Sequence, residues 1–307
     1  VSGPDLLLDR AVHVTVYGLS DAGRRRAENQ DAFLIADLGA PAQEGPWRVS
    51  TDAGAPPEPA CFGVGPRGVL AVVADGMGGA AAGAVASRLA VAEIYGAMTR
   101  WWAPEAEPAP GRFARRLRQA VVDANAAIHA HADRDPACDG MGTTVTAGGI
   151  VDGCLFLAQV GDSRAYLVRG GRIEQLTRDQ SLVQSLMDAG TLSADQAERS
   201  GYASVLLQAL GPAARVEVDL TRQQVRRGDL LILCSDGLFR TMTAAAIAAR
   251  AERAEDLAEL CRELVEAANE RGGPDNVTVV AARLDGPGLE SPRDDESVGR
   301  HPYDPGR

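Results

Sequence analysis

TTVTAGGIVDGCLFLAQVGDSRAYLVRGGRIEQL, residues 143–176, decides the fold. It holds four strand-like runs, 143–151, 153–160, 163–169 and 172–176. Asp152-Gly153 links the first two and Gly170-Gly171 the last two. Two-residue links of this chemistry close antiparallel hairpins, because both central residues adopt the positive φ that such turns demand. The stretch therefore predicts an antiparallel meander rather than a doubly wound parallel sheet.

Working upstream, residues 12–19 and 31–37 alternate as strands and 68–74 form a buried strand. Residues 38–67 carry Pro41, Pro46, Pro56, Pro57, Pro59 and Pro66. That composition predicts a Pro-rich surface insertion, with short strands at 47–49 and 60–64. Residues 80–98 are proline-free and alanine-rich, which predicts a helix. In 113–132, Phe113, Leu117, Val121, Ala124 and Ile128 recur at spacings of three and four, giving an amphipathic helix. Downstream come short helices at 180–189 and 193–200, strands at 216–224 and 229–235, helices at 243–249 and 254–269, and a closing strand at 276–284. Helix pairs between blocks of antiparallel strands make the class α+β and suit two stacked sheets with helices on the outer faces. The expected organisation is an N-terminal extension (1–11), one domain (12–284) and a flexible, proline-bearing C-terminal tail (285–307).

The 307 residues suffice for one large core, built of Val, Leu, Ile and Ala since aromatics make up only 4%. A net charge of -11 argues against a nucleic-acid partner. Five cysteines, an odd number without any C-x-x-C pair, suggest neither a disulfide framework nor a zinc site and fit a reducing cytoplasm. No apolar run approaches the ~20 residues of a membrane span. The start has no signal-peptide pattern, and Val1 fits a trimmed or partial chain. A monomer is the default expectation.

Five aspartates occupy strand ends or the Gly-rich turns beside them: Asp31, Asp75, Asp162, Asp236 and Asp275. Carboxylates that converge need cations, and all-oxygen donors favour Mg²⁺ or Mn²⁺ over zinc. Two such ions sharing an oxygen would suit phosphate ester hydrolysis, since they acidify the bridging water and hold it in line with phosphorus. Asp75 is the natural bridging ligand, because Gly76-Met77-Gly78-Gly79 lets backbone approach an ion and offers the Gly76 carbonyl. Asp236 and Asp275 would complete one ion and Asp31 would serve the other. Arg26 would dock the phosphate.

The blocks Arg26-Ala27-Glu28-Asn29-Gln30-Asp31, Val73-Ala74-Asp75-Gly76-Met77-Gly78-Gly79, Gly140-Met141-Gly142-Thr143-Thr144, Val160-Gly161-Asp162-Ser163-Arg164, Cys234-Ser235-Asp236-Gly237-Leu238 and Pro274-Asp275-Asn276-Val277-Thr278 occur in this order. With them the chain resembles the metal-dependent type 2C Ser/Thr protein phosphatases, bacterial branch, over roughly residues 12–284. The resemblance implies a β-sandwich of two antiparallel sheets flanked by antiparallel helix pairs, in α-β-β-α layers. It implies a dinuclear Mn²⁺ or Mg²⁺ site with Asp75 bridging, the Gly76 carbonyl as a ligand, and a weaker third ion on Asp162 and Asp236. It also implies a phosphoryl contact from Arg26, phosphorylated proteins as substrates, direct attack by metal-activated water, and a flap over residues 179–208.

Some positions depart from the family pattern. Met77 stands where animal relatives carry a proton-donating histidine, which leaves a metal-bound water as the preferred donor. The flap begins Asp179-Gln180-Ser181 rather than Asp-His-Ser, and its end lacks the usual His-Pro. His129 and His131 lie two apart, on different helix faces, so no metal pair is expected there. Two rival readings share the fold: a non-catalytic regulatory binding module, and a phosphatase dedicated to one small phosphorylated regulator.

Overall fold

The structure is a computed structural model that describes residues 11–39, 58–79, 82–100, 110–198, 200–202, 204–293 and 296–306. Residues 1–10 and 40–57, which include most of the expected extension and the strand expected at 47–49, lie outside the described residues.

The two hairpins form as read, but the stretch is not one meander, because its second and third strands lie in different sheets. Strand β1 is His13–Asp21, β2 Asp31–Asp37, β3 Ala60–Gly63 and β4 Val69–Met77. Next come β5 Gly142–Thr143, β6 Val145–Val151, β7 Cys154–Val160, β8 Arg164–Arg169 and β9 Arg172–Gln175. The β6–β7 turn puts Asp152 at φ 49° and Gly153 at φ 67°; the β8–β9 turn puts Gly170 at φ 56° and Gly171 at φ 76°. Both are the positive-φ pairs that two-residue hairpins need. The run expected as one strand over 143–151 is split at Thr144. Its first part pairs with Gly76 and Met77, its second with residues 69–73 of β4.

Strands β10 (Asp219–Gln224), β11 (Leu230–Cys234) and β12 (Val277–Asp285) complete two six-stranded arrangements. One sheet runs β3-β1-β12-β11-β8-β9; the other runs β10-β7-β6-β4-β2, with β5 attached to β4. All pairings between these strands are antiparallel. Between the sheets lies a core of Val16, Phe33, Val73, Leu155, Leu167 and Leu233, among others.

Helices α1 (Ala82–Arg100) and α2 (Pro110–Ala132) cover the outer face of the second sheet. Ala86 and Ala90 keep α1 close, while Phe113, Leu117, Val121 and Ile128 of α2 fill the adjoining space. Gly149 of β6 makes room for Phe113, since a Cβ there would lie 2.2 Å from the ring. Short helices α3 (Leu182–Asp188), α4 (Ala194–Glu198) and α5 (Asp236–Phe239) lie in connections. Helices α6 (Ala244–Ala251) and α7 (Leu257–Glu270) cover the first sheet. Thr243 and Asp256 cap them by accepting from the Ala246 and Glu259 amides. The order helix pair, sheet, sheet, helix pair is the expected α-β-β-α layering. Among the described residues no helix is long and apolar enough to cross a membrane.

Described residues of the C-terminal segment, expected as a flexible tail, are bonded to the domain. The Arg222 amide donates to the His301 carbonyl and the Tyr303 amide to the Leu220 carbonyl, so the segment bonds along β10. Tyr303 stacks on Phe156 at 5.4 Å, Leu289 is buried, and Arg226 grips Glu296. A few anchors suffice to dock a segment that is mostly polar and proline-rich, and average composition conceals them.

Candidate metal centre

Asp31 opens β2 and stands directly opposite Asp75 of β4 in the register. Asp236 begins α5 immediately after β11. Asp162 follows β7 through Gly161, which sits at φ 100°. Asp275 immediately precedes β12. Two sheet ends thus deliver five carboxyls to one place. Burial, and then the charges of Asp31, Asp236, Asp162 and Asp275, push the Asp75 carboxyl well above its usual range. Burial, with Asp236 next, raises Asp162 to about 7. Burial likewise raises Asp31 to about 7, against the hydrogen bonds that favour its charged form.

Each acid is held by local devices. Asp31 is fully buried; its Oδ2 accepts from Ser235 Oγ and Thr278 Oγ1, both at 2.7 Å. The break at Thr144 serves Asp75. The Asp75 amide donates to Thr144 Oγ1, and the Asp75 carbonyl accepts from the Thr144 amide and Thr143 Oγ1. Gly76 tolerates no side chain, since a Cβ would lie 2.2 Å from the Gly83 carbonyl oxygen. Asn276 ties the 22–30 loop to β12, donating to the Ala22 and Glu28 carbonyls and accepting from the Gln30 amide. That loop carries Arg26, whose guanidinium reaches Asp275 Oδ2 at 2.7 Å.

The donor set fits divalent cations. It is all oxygen, and Asp31 Oδ1 is buried without a hydrogen-bond partner. An orphaned carboxylate oxygen beside four other acids is a costly arrangement that a hard cation would relieve.

A model of the family described as Protein phosphatase 2C matches residues 51–284. The chain belongs to the protein phosphatase 2C family. It is 40% identical over 213 residues to the serine/threonine protein phosphatase PstP of Mycobacterium tuberculosis, a match covering 69% of this chain and 40% of that protein. The chain therefore spans less than half the length of that curated relative. It is 35% identical over 216 residues to the serine/threonine phosphatase stp of Listeria monocytogenes, covering 70% of this chain and 84% of that protein. The solved catalytic domain of a PstP, in complex with two manganese ions, has a TM-score of 0.68 and 34% identity, covering 89% of this chain and 99% of that one.

Within this protein phosphatase 2C fold, one site residue escaped the sequence reading. Arg240 Nε contacts Asp236 Oδ2 at 2.7 Å, and its terminal nitrogen lies 3.6 Å from Asp162 Oδ2. It bridges the two acids expected to hold a third ion. The signal was present in the sequence: Arg240 lies four residues after Asp236, where helical side chains meet. Arg164, by contrast, turns away from Asp162 and forks onto Asp179 while stacking on Phe239. Residues 179–208 form an excursion closed at its neck, where Leu182 and Leu207 donate to the Val205 and Gln180 carbonyls. Tyr202, Val205 and Leu207 are exposed on it.

Proposed function

We propose that the protein is a metal-dependent phosphatase that removes phosphate from phosphoserine and phosphothreonine residues of proteins. The observation that carries this reading is the buried, unpartnered Asp31 Oδ1 within a five-carboxyl cluster, inside a protein phosphatase 2C fold. A non-catalytic module has no use for an arrangement that costly.

In this reading Asp75 would be shared by two Mn²⁺ or Mg²⁺ ions, Asp31 would serve one, Asp236 and Asp275 would serve the other, and the Gly76 carbonyl would be a further ligand. When bound, the ions would supply a water acidic enough to attack phosphorus, with no need of a covalent phosphoenzyme. The chain's own residues provide the frame. Ser235 and Thr278 fix the Asp31 carboxyl and favour its charged form; Thr143 and Thr144 fix the Asp75 backbone. Arg26, more than half exposed, swings on its loop to make a forked contact with the phosphoryl oxygens. Met77 has no proton to give, so the leaving alkoxide takes its proton from water in the site. The excursion 179–208 is the flap, whose exposed Tyr202, Val205 and Leu207 face incoming substrate protein. Free cysteines fit a cytoplasmic location.

Protein stripped with EDTA should release no phosphate from phosphoserine and phosphothreonine peptides until Mn²⁺ or Mg²⁺ is restored. Metal-independent turnover would overturn the assignment. A third ion on Asp162 and Asp236 must displace Arg240. Arg240→Ala should therefore raise the Mn²⁺ bound per chain from two to three at equal free metal, read by elemental analysis after equilibrium dialysis.

A further inference from the structure

The C-terminal end of α2 runs into a 3-10 turn at Pro136–Cys138 and then into β5. Here one ligand atom each from His131, Asp135 and Cys138 lies within 4.8 Å of the other two. None of the three belongs to the aspartate cluster. We propose that His131, Asp135 and Cys138 form a second metal site, suited to Zn²⁺ rather than to Mg²⁺ or Mn²⁺.

The chemistry follows from the donors. Imidazole nitrogen, carboxylate oxygen and thiolate sulfur together are the set that zinc accepts and hard cations reject. Three protein ligands leave a fourth tetrahedral position to water. The backbone holds the donors in place. The Asp135 amide donates to the His131 carbonyl, and the Cys138 amide to the Asp135 carbonyl. Asp135 Oδ1 is engaged by the Ala137 amide at 3.0 Å, which orients the carboxylate and leaves Oδ2 toward the thiol, 3.8 Å from Cys138 Sγ. Such outer bonds are what fix a ligand's geometry in metal sites. Cys138 is buried at the edge of the apolar core.

Binding exchanges one proton. The Cys138 thiol, held above its ordinary pKa by burial and by Asp135, gives its proton to solvent as the Zn–S bond forms. The bound ion would fasten the turn that feeds β5. Met141, next to β5, donates its amide to the Cys138 carbonyl, and β5 pairs with Gly76 and Met77.

The test uses the full chain, freed of metal and titrated with Co²⁺ as a spectroscopic stand-in for Zn²⁺. The expected result is a thiolate-to-cobalt charge-transfer band in the near ultraviolet that saturates at one equivalent and is displaced by Zn²⁺. Cys138→Ser should abolish it, and His131→Gln should weaken Zn²⁺ binding at least about tenfold, the scale at which ligand geometry tells. Asp236→Asn should leave the band intact, which separates this site from the aspartate cluster and from any phosphatase activity. No band in the folded wild-type chain would overturn the proposal, and so would a band that survives Cys138→Ser.

Discussion

Asp75→Asn is expected to abolish phosphate release from p-nitrophenyl phosphate and phosphopeptides while leaving the fold intact. Asp75 is the acid on which all the others act: Asp31, Asp236, Asp162 and Asp275 each destabilise its charge. In the proposed centre it is the ligand shared by both ions. Its loss should reduce kcat at least about a thousandfold, the size expected when several kcal/mol of transition-state stabilisation disappears. The same substitution removes one of five mutually repelling carboxyls and keeps the side-chain shape. Metal-free Asp75→Asn should therefore melt no lower than the metal-free parent, and its circular dichroism should be unchanged. A variant that stays folded and retains more than a tenth of the activity would refute a bridging role for Asp75. Melting well below the parent would instead mean that the carboxyl has a structural duty that its surroundings do not suggest.

Features fixed by neighbours in the sequence were legible in advance. Asp152-Gly153 and Gly170-Gly171 dictate their turns by local φ alone, so the two hairpins could be read before any contact was known, whereas the switch of sheet between β7 and β8 could not. The helices on the sheet faces followed from apolar spacing, as Phe113, Leu117 and Ile128 illustrate. The five aspartates could be picked out because each sits at a strand end, but their convergence is a property of register. Nothing near Asp31 says that it will face Asp75. Contacts made across long loops stayed hidden. Ser235, just past the end of β11, and Thr278 of β12 meet at Asp31 from 204 and 247 residues away in sequence. Tyr303 finds Phe156 from a segment whose composition reads as mobile. Thr144 interrupts a strand because its hydroxyl and amide are claimed by Asp75, a demand that no local propensity encodes. The two-residue spacing of His129 and His131 says nothing of Asp135 and Cys138, whose ligand atoms lie within 4.8 Å of that of His131.

The stability of the metal-free protein should fall as pH rises from about 4 to about 7, and Mn²⁺ should reverse the fall. The sign follows from linkage. Asp31 and Asp162 are raised to about 7 in the folded chain, and Asp75 is also raised. Unfolded aspartates titrate near ~3.9. Below that value both states hold their protons and these groups contribute nothing. Between the two values the unfolded chain releases protons that the folded chain still binds, so each step upward favours unfolding. Above about 7 the loss is complete. Glu296 works the other way: Arg226 holds its carboxyl below its usual range, so its contribution is present at neutral pH and fades in acid. The raw melting curve mixes both effects, whereas the difference between melting temperatures with and without Mn²⁺ isolates the cluster. Mn²⁺ competes with protons for the same oxygens, so that difference should be near zero at pH 4 and grow toward pH 7. At a hundredfold excess over Kd, binding adds ~2.7 kcal/mol. For a domain of this size that corresponds to a rise of roughly 5–10 °C. Asp31→Asn should flatten the dependence, because it removes a fully buried carboxyl raised to about 7. A Mn²⁺-induced rise that is the same at pH 4 and pH 7 would mean that the ion binds elsewhere, and the centre built on these five acids would lose its physical basis.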